Sequence, residues 1–221
     1  MFKANFELTV LVAGKPAREY VNANYADPFI EGLRSTDYEL RISNRSNHRA
    51  LAVIAVDGLS IIDGKLASSG GDGYVIGAQK TTTIPGWRLN NNEVAKFVFA
   101  SQPEAYATQM KRGGNLGIIG AAFFLEHKRF AVTRGFGGVP ESMGASKGAT
   151  RGIGTGFGDR ARHEVTEVDF DRDPSTLQTL IVRYDDREGL IRRGFRLDPD
   201  PSAFPADVGT GCMVPTGWAG R

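Results

Sequence analysis

Cysteine is nearly missing from this chain. Cys212 is the only one in 221 residues, which excludes a disulfide framework and a cysteine-based zinc site within one chain. Histidine is scarce as well. His48, His127 and His163 are the only three; no two stand at the i, i+4 spacing of a helical zinc site and none lies beside a patterned serine, so all three are expected in exposed loops. Charge of one sign is also lacking. The net charge of +2 comes from 27 basic and 25 acidic residues, so no bulk field draws the chain to nucleic acid or to an anionic membrane, and neither is expected as a partner. No apolar run approaches the roughly 20 residues of a membrane helix. The first residues, MFKANFELTVLVAGKPA, have their apolar run broken by Glu7 and Thr9 and read as a strand rather than a leader. Long helical periodicity is missing too: no window of about 12 residues keeps apolar spacing at i, i+3, i+4 and i+7.

Strand signals fill the space these absences leave. FELTVLV (6–12), DYELRIS (37–43), RALAVIAV (49–56), LSII (59–62), YVI (74–76), KTTTI (80–84), EVAKFVFA (93–100), NLGIIGAAFFLEH (115–127), EVTEVDF (164–170) and TLQTLIVRYD (176–185) are short, β-branched and aromatic-rich runs separated by turn residues. Asn44, Ser46 and Asn47 between the second and third runs suggest a hairpin. Helix is expected only as one turn near 103–107 and as a short piece within DDREGLIRRGF (185–195). The pattern predicts an all-β chain, an antiparallel β-sandwich of jelly-roll type, as one domain over residues 1–197. Two segments are expected outside the sandwich. Residues 134–160 hold nine glycines in 27 positions and read as an inserted loop or arm. Residues 198–221 hold four of the ten prolines and read as an extended tail.

The glycine-rich stretch contains GATRGIG (148–154), close to a dinucleotide fingerprint. That chemistry requires a buried strand before the glycines and a helix after them, so that helix N-terminal amides meet the pyrophosphate. FGGVPESMGASK upstream and TGFGDRARHE downstream supply neither, and Lys147 is followed by Gly148 rather than by the hydroxyl residue of a phosphate loop. No cofactor is expected. Asp57, Asp63 and Asp72 each precede a glycine within 16 residues; clustered carboxylates of this kind suit calcium or a metal-assisted hydrolase, whereas Asp-Gly is also a common tight turn. Tyr74, Trp87 and Tyr106 follow or end strands, where aromatic rings can stack a sugar or a base but more often seal a core.

Several of these stretches together resemble a family of uncharacterised bacterial and phage-associated proteins. They are VDGLSIIDGKLAS (56–68), GYVI (73–76), IPGWR (84–88), FVF (97–99), EAYA (104–107), NLGIIGAAFF (115–124), GTGFG (154–158) and RYDDREGL (183–190). The resemblance runs from about residue 28 to 195 and carries no assigned enzymatic activity; it implies that GTGFG belongs to a recurring β-domain feature. The expectation for function is a non-enzymatic structural protein, a virion component of a bacteriophage that decorates or cements a capsid or serves a tail or connector. Its partners would be other protein subunits, with self-association. Contacts are expected from Lys147, Arg151 and Arg160 of the arm and from Phe204, Met213 and Trp218 of the tail. The alternative expectation is a bacterial carbohydrate- or ligand-binding module using Tyr74, Trp87 and Tyr106.

Overall fold

The structure, a computed structural model, describes residues 1–127 and 152–197. In chain order its strands are β1 (Phe2–Lys3), β2 (Phe6–Val12), β3 (Lys15–Pro16), β4 (Glu19–Tyr20), β5 (Phe29–Glu31), β6 (Asp37–Asn44), β7 (Ala50–Val56) and β8 (Leu59–Ser60). They continue with β9 (Tyr74–Ile76), β10 (Lys80–Ile84), β11 (Gly86–Arg88), β12 (Glu93–Ser101), β13 (Ile118–Leu125), β14 (Ile153–Arg162) and β15 (Gln178–Asp185). Two short helices join them, α1 (Tyr106–Gln109) and α2 (Arg187–Arg192). The expected turn near 103–107 and the short helix after Asp185 are thus both present.

The strands form two sheets packed as an all-β sandwich. In the first, β2 pairs with β6, β6 with β10 and β12, and β12 with β11 and β14. In the second, the order is β4-β5-β15-β13-β7, with β8 and β9 both against β7. Among the described residues all pairings are antiparallel except β15 with β5, which run parallel and make the second sheet mixed. Period-2 alternation places one set of side chains from each sheet in the interior. Phe6 of β2 stacks on Phe123 of β13 with ring centroids 4.4 Å apart, and Phe99 of β12 lies 5.3 Å from Tyr184 of β15. These pairs bridge the sheets. Leu8, Leu40, Ile42, Phe97, Ile119 and Leu180 complete the same buried cluster, each contributing about 1.5–3 kcal/mol by leaving water.

Three features differ from the sequence expectations. The first is the expected hairpin: β6 and β7 lie in different sheets, so residues 45–49 arch across the sandwich instead of turning within one sheet. The physical reason is in the two strands. DYELRIS alternates, whereas ALAVIAV is buried at six of its seven positions and needs cover on both faces. Asn44, buried at the arch, makes the crossing possible. Its Nδ2 donates to the carbonyls of His48 (2.8 Å), Ile76 (3.1 Å) and Gly77 (3.0 Å), and its Oδ1 accepts from the Ser46 amide at 3.0 Å.

The second concerns EVTEVDF, which is not a strand. Residues 163–170 pair with no sheet strand among the described residues and form a strap whose first amides, His163 and Val165, donate to the carbonyls of Asn92 and Asn91. The strap ends with Phe170 against Leu51, Val53 and Phe124, supplying the outer cover that β7 requires. Third, the expected arm is shorter than 134–160. Ile153–Arg162 is a strand of the first sheet, paired along β12; residues 134–151 and the tail 198–221 lie outside the described residues.

Candidate functional site

The motifs scattered along the chain converge on one carboxylate. Asp57, at the end of the β7 run AVDG, is fully buried. Its Oδ1 accepts from the Gly117 amide and from the Tyr184 hydroxyl, each at 2.7 Å, and its Oδ2 accepts from the Thr155 amide at 2.7 Å. Thr155 Oγ1 lies 2.6 Å from Tyr184 Oη and 2.7 Å from Tyr38 Oη. Five elements therefore meet here: VDG of β7, NLG ahead of β13, GTG of β14, RYD of β15 and DYE of β6. Crowding explains the glycine of GTG. A Cβ on Gly154 would stand 2.9 Å from Leu116 Cδ2 and 3.1 Å from Asp57 Oδ2, so the glycine serves close approach rather than flexibility.

Burial dominates the electrostatics of this hub. Desolvation pushes the Asp57 carboxyl from 3.8 up to about 6, against the opposing pull of its hydrogen bonds from Tyr184, Thr155 and Gly117. Desolvation, and then the neighbouring Asp57 charge, hold the Tyr38 and Tyr184 hydroxyls well above the ordinary tyrosine range. All four side chains are sealed between the sheets.

RYDDREGL continues the same logic at the edge of the hub. Asp185 is buried and paired with Arg193 at 3.0 Å. Asp186 caps α2 by accepting from the Gly189 amide at 2.8 Å, a bond that stabilises a helix start by about 1 kcal/mol. Gly189 is required because a Cβ there would fall on the Asp185 carboxylate.

The aromatic candidates separate into two groups. Trp87 is 2 % exposed, donates Nε1–H to the Gly156 carbonyl at 3.1 Å, and is enclosed by Phe97, Tyr106 and Phe157 with centroids 5.1–5.7 Å away. Trp87 and Tyr106 close the core, as strand-end aromatics more often do. Tyr74 stands elsewhere. Its hydroxyl accepts from Arg88 Nε (3.1 Å) and Nη2 (2.7 Å), and Arg88 Nη1 donates to the His163 carbonyl at 2.6 Å while Nη2 meets His163 Nδ1. Arg88 thus fastens the start of the strap to β9 and β11. Burial, and then the Arg88 charge, lower the His163 pKa from its ordinary value. Arg172 fastens the other end, donating to the carbonyls of Ser69 (3.0 Å) and Gly71 (2.9 Å). Between these fastenings the strap and the outer face of β7 and β9 border a cavity of about 980 Å³ that is open to solvent and lined in part by Tyr74, Asp72, Asn91 and Glu167.

The three Asp-Gly carboxylates are not brought together. Asp57 is in the core, Asp63 caps its own turn by accepting from the Lys65 amide at 3.1 Å, and Asp72 borders the strap cavity. Among the described residues no group of three histidines, cysteines or carboxylates is placed to hold a metal. His48 is exposed at the arch and His127 is exposed two residues past the end of β13, whereas His163 is half-buried under Arg88, unlike the exposed loop position expected of it. The glycine fingerprint runs straight into strand β14 rather than into a helix, so its described end lacks the geometry a pyrophosphate requires. Arg160 projects from β14 with its side chain 76 % exposed, 3.9 Å from Glu93. Lys147, Arg151, Phe204, Met213 and Trp218 lie outside the described residues.

Comparison of the chain with protein-family models, curated proteins and solved structures finds no match. The fold and the hub therefore stand on this chain's own geometry. Sequence reading singled out Asp57 but missed Tyr38, Thr155, Tyr184 and Asn44. One signal was present: a carboxylate at the end of an apolar run, AVIAVD, must find donors inside the protein.

Proposed function

We propose that the chain is a non-enzymatic structural protein that acts through contacts with other protein subunits. Its most specific version is a component of a bacteriophage particle, in capsid decoration or cement or in a tail or connector. The observation that carries the reading is the hub: the polar groups of the chain's motifs satisfy one another in a sealed interior and build a rigid body. The resemblance to phage-associated proteins supports the particle. The sequence supports contact-making: the part of the glycine-rich segment 134–160 that precedes β14 carries Lys147 and Arg151, and the proline-rich segment 198–221 carries Phe204, Met213 and Trp218.

Sedimentation of the full-length protein across the micromolar range tests this, alone and mixed with capsid or tail proteins encoded beside it. Self-association or co-sedimentation is expected, and Phe204→Ser with Trp218→Ser is expected to abolish it. A wild-type chain that stays monomeric and binds none of those proteins removes the proposal.

A second reading rests on the strap cavity, whose volume suits a small ligand such as a carbohydrate. In that reading Tyr74 borders the ligand, whereas Trp87 and Tyr106 only support the core. Glycan binding that is lost in Tyr74→Ala and kept in Trp87→Phe is the expected pattern. Binding by neither wild type nor variants ends it.

A further inference from the structure

One end of the second sheet carries a small core of its own with an apolar rim in water. Phe29 of β5, Leu190 of α2, Phe195 and Leu197 are buried together, with Tyr20 of β4 and Tyr25 packed against them. Beside them Val21 is 83 % exposed and Ile191 is 55 % exposed. Asn22 Nδ2 donates to the Gly194 carbonyl at 3.2 Å, and the Gly194 amide donates to the Ile191 carbonyl at 2.9 Å. These bonds bring the Val21 segment against the end of α2 that carries Ile191. We propose that this patch is the docking site for residues 198–221 of a second copy of the chain.

Charge, backbone and sequence select that occupant. Arg18 lies over the Tyr20 ring, 5.1 Å from its centroid, and Arg196 stands between Phe195 and Leu197. Both are exposed, and among the described residues neither is paired with a carboxylate, whereas Arg192 and Arg193 beside them are closed on Glu188 and Asp185. A basic rim around an apolar patch fits an acidic segment with apolar anchors. Residues 198–207 hold Asp198, Asp200 and Asp207, no lysine or arginine, and Phe204 among them. The backbone is open as well. β4 is an edge: among the described residues it pairs with β5 and with no other strand, so an extended segment can lie along it.

The sequence next to the patch favours a second copy over the chain's own segment. Leu197 belongs to the buried cluster, and Asp-Pro-Asp-Pro follows it at 198–201. Proline fixes φ and biases the residue before it toward extended backbone, which opposes the tight reversal needed to return Phe204 to the patch just left. A second copy meets no such constraint. This docking rests on the self-association proposed above and gives it a receiving surface. The contact is heterologous, because it joins two different surfaces, one from each copy. A copy that has lost one half of the contact can therefore still use the other.

Sedimentation of full-length variants, alone and in pairs, tests it. Wild type is expected to self-associate. Val21→Asp with Ile191→Asp, which leaves 198–221 intact, is expected to be monomeric, and so is Phe204→Ser with Trp218→Ser, which leaves the patch intact. Mixed in equal amounts, these two proteins are expected to form a species of two copies, because one whole junction remains between them. Arg18→Glu with Arg196→Glu is expected to weaken self-association at least about tenfold at low salt and less at high salt; it is the deciding variant if the aspartate pair does not fold. Monomers in the mixture, a patch variant that associates as wild type does, or arginine reversals without effect overturns the proposal. A wild type that stays monomeric yet binds neighbouring capsid or tail proteins overturns it too, while leaving the proposed function standing.

Discussion

Removing the Asp57 charge should change how stability depends on pH. In the folded chain its carboxyl titrates at about 6 instead of 3.8, so the folded state binds this proton more tightly than the unfolded one. For a carboxyl shifted upward, stability from the group is fully present below 3.8 and is lost as pH rises through about 6. The whole window is worth about 3 kcal/mol, because each tenfold gain in proton affinity corresponds to about 1.4 kcal/mol. Between pH 7.5 and 5 the linkage relation delivers about 1.4 kcal/mol of it, in favour of the acid side. Urea unfolding of wild type and Asp57→Asn at those two pH values measures this. Asparagine meets the Thr155 N–H or the Gly117 N–H with a donor, so the variant loses a bond at both pH values, yet it has no proton to gain. Contributions from other carboxyls cancel in the difference between the two proteins. The stability of wild type relative to Asp57→Asn should therefore rise by about 1.4 kcal/mol on acidification. A difference that is flat, or that falls, would falsify the account of a buried carboxylate dominated by desolvation.

Asn44→Ala should destabilise the protein by about 3 kcal/mol, because the carbonyls of Ile76 and Gly77 at the arch lose their donor inside the protein; a loss below about 1 kcal/mol in urea unfolding would mean water replaces the side chain. Arg88→Ala should raise the His163 pKa toward its ordinary value, since the nearby positive charge disappears and the ring gains water. With a folded pKa below the unfolded one, His163 costs stability as pH falls past the ordinary histidine range, and the variant should lose that dependence. An NMR titration of His163 that does not move would show that Arg88 neither desolvates nor repels it.

The strands were legible because alternation reports directly on which face is buried. FELTVLV, YVI and KTTTI match β2, β9 and β10 residue for residue. What alternation cannot report is the sheet to which a strand belongs. Asn44, Ser46 and Asn47 are turn residues in a hairpin and in an arch alike, and the choice is made by β7's need for cover on both faces. EVTEVDF failed for a related reason. Val165 and Phe170 turn inward, but Val168 is 53 % exposed, so the run only half obeys the pattern of a paired strand. The glycines of 154–158 illustrate a third limit. Composition alone reads them as flexibility, whereas the first permits close packing against Leu116 and Asp57.

The hub also shows why motif-like stretches are ambiguous between a binding site and a core. A buried carboxylate without a cation requires several directed donors, and one strand cannot supply them because its neighbours point along the sheet. The donors must come from separate elements, each with small residues where those elements crowd. Short polar-and-glycine signatures spread over more than a hundred residues are the result, here Asp57, Gly117, Thr155 and Tyr184. An active site generates the same signature for the same reason, since it too gathers donors from several loops. What distinguishes the two is where the donors end. In this chain the amides of Gly117 and Thr155 and the Tyr184 hydroxyl end on Asp57 itself, and Tyr38 ends on Thr155. That closure supports reading the motifs as the chain's own internal clamp.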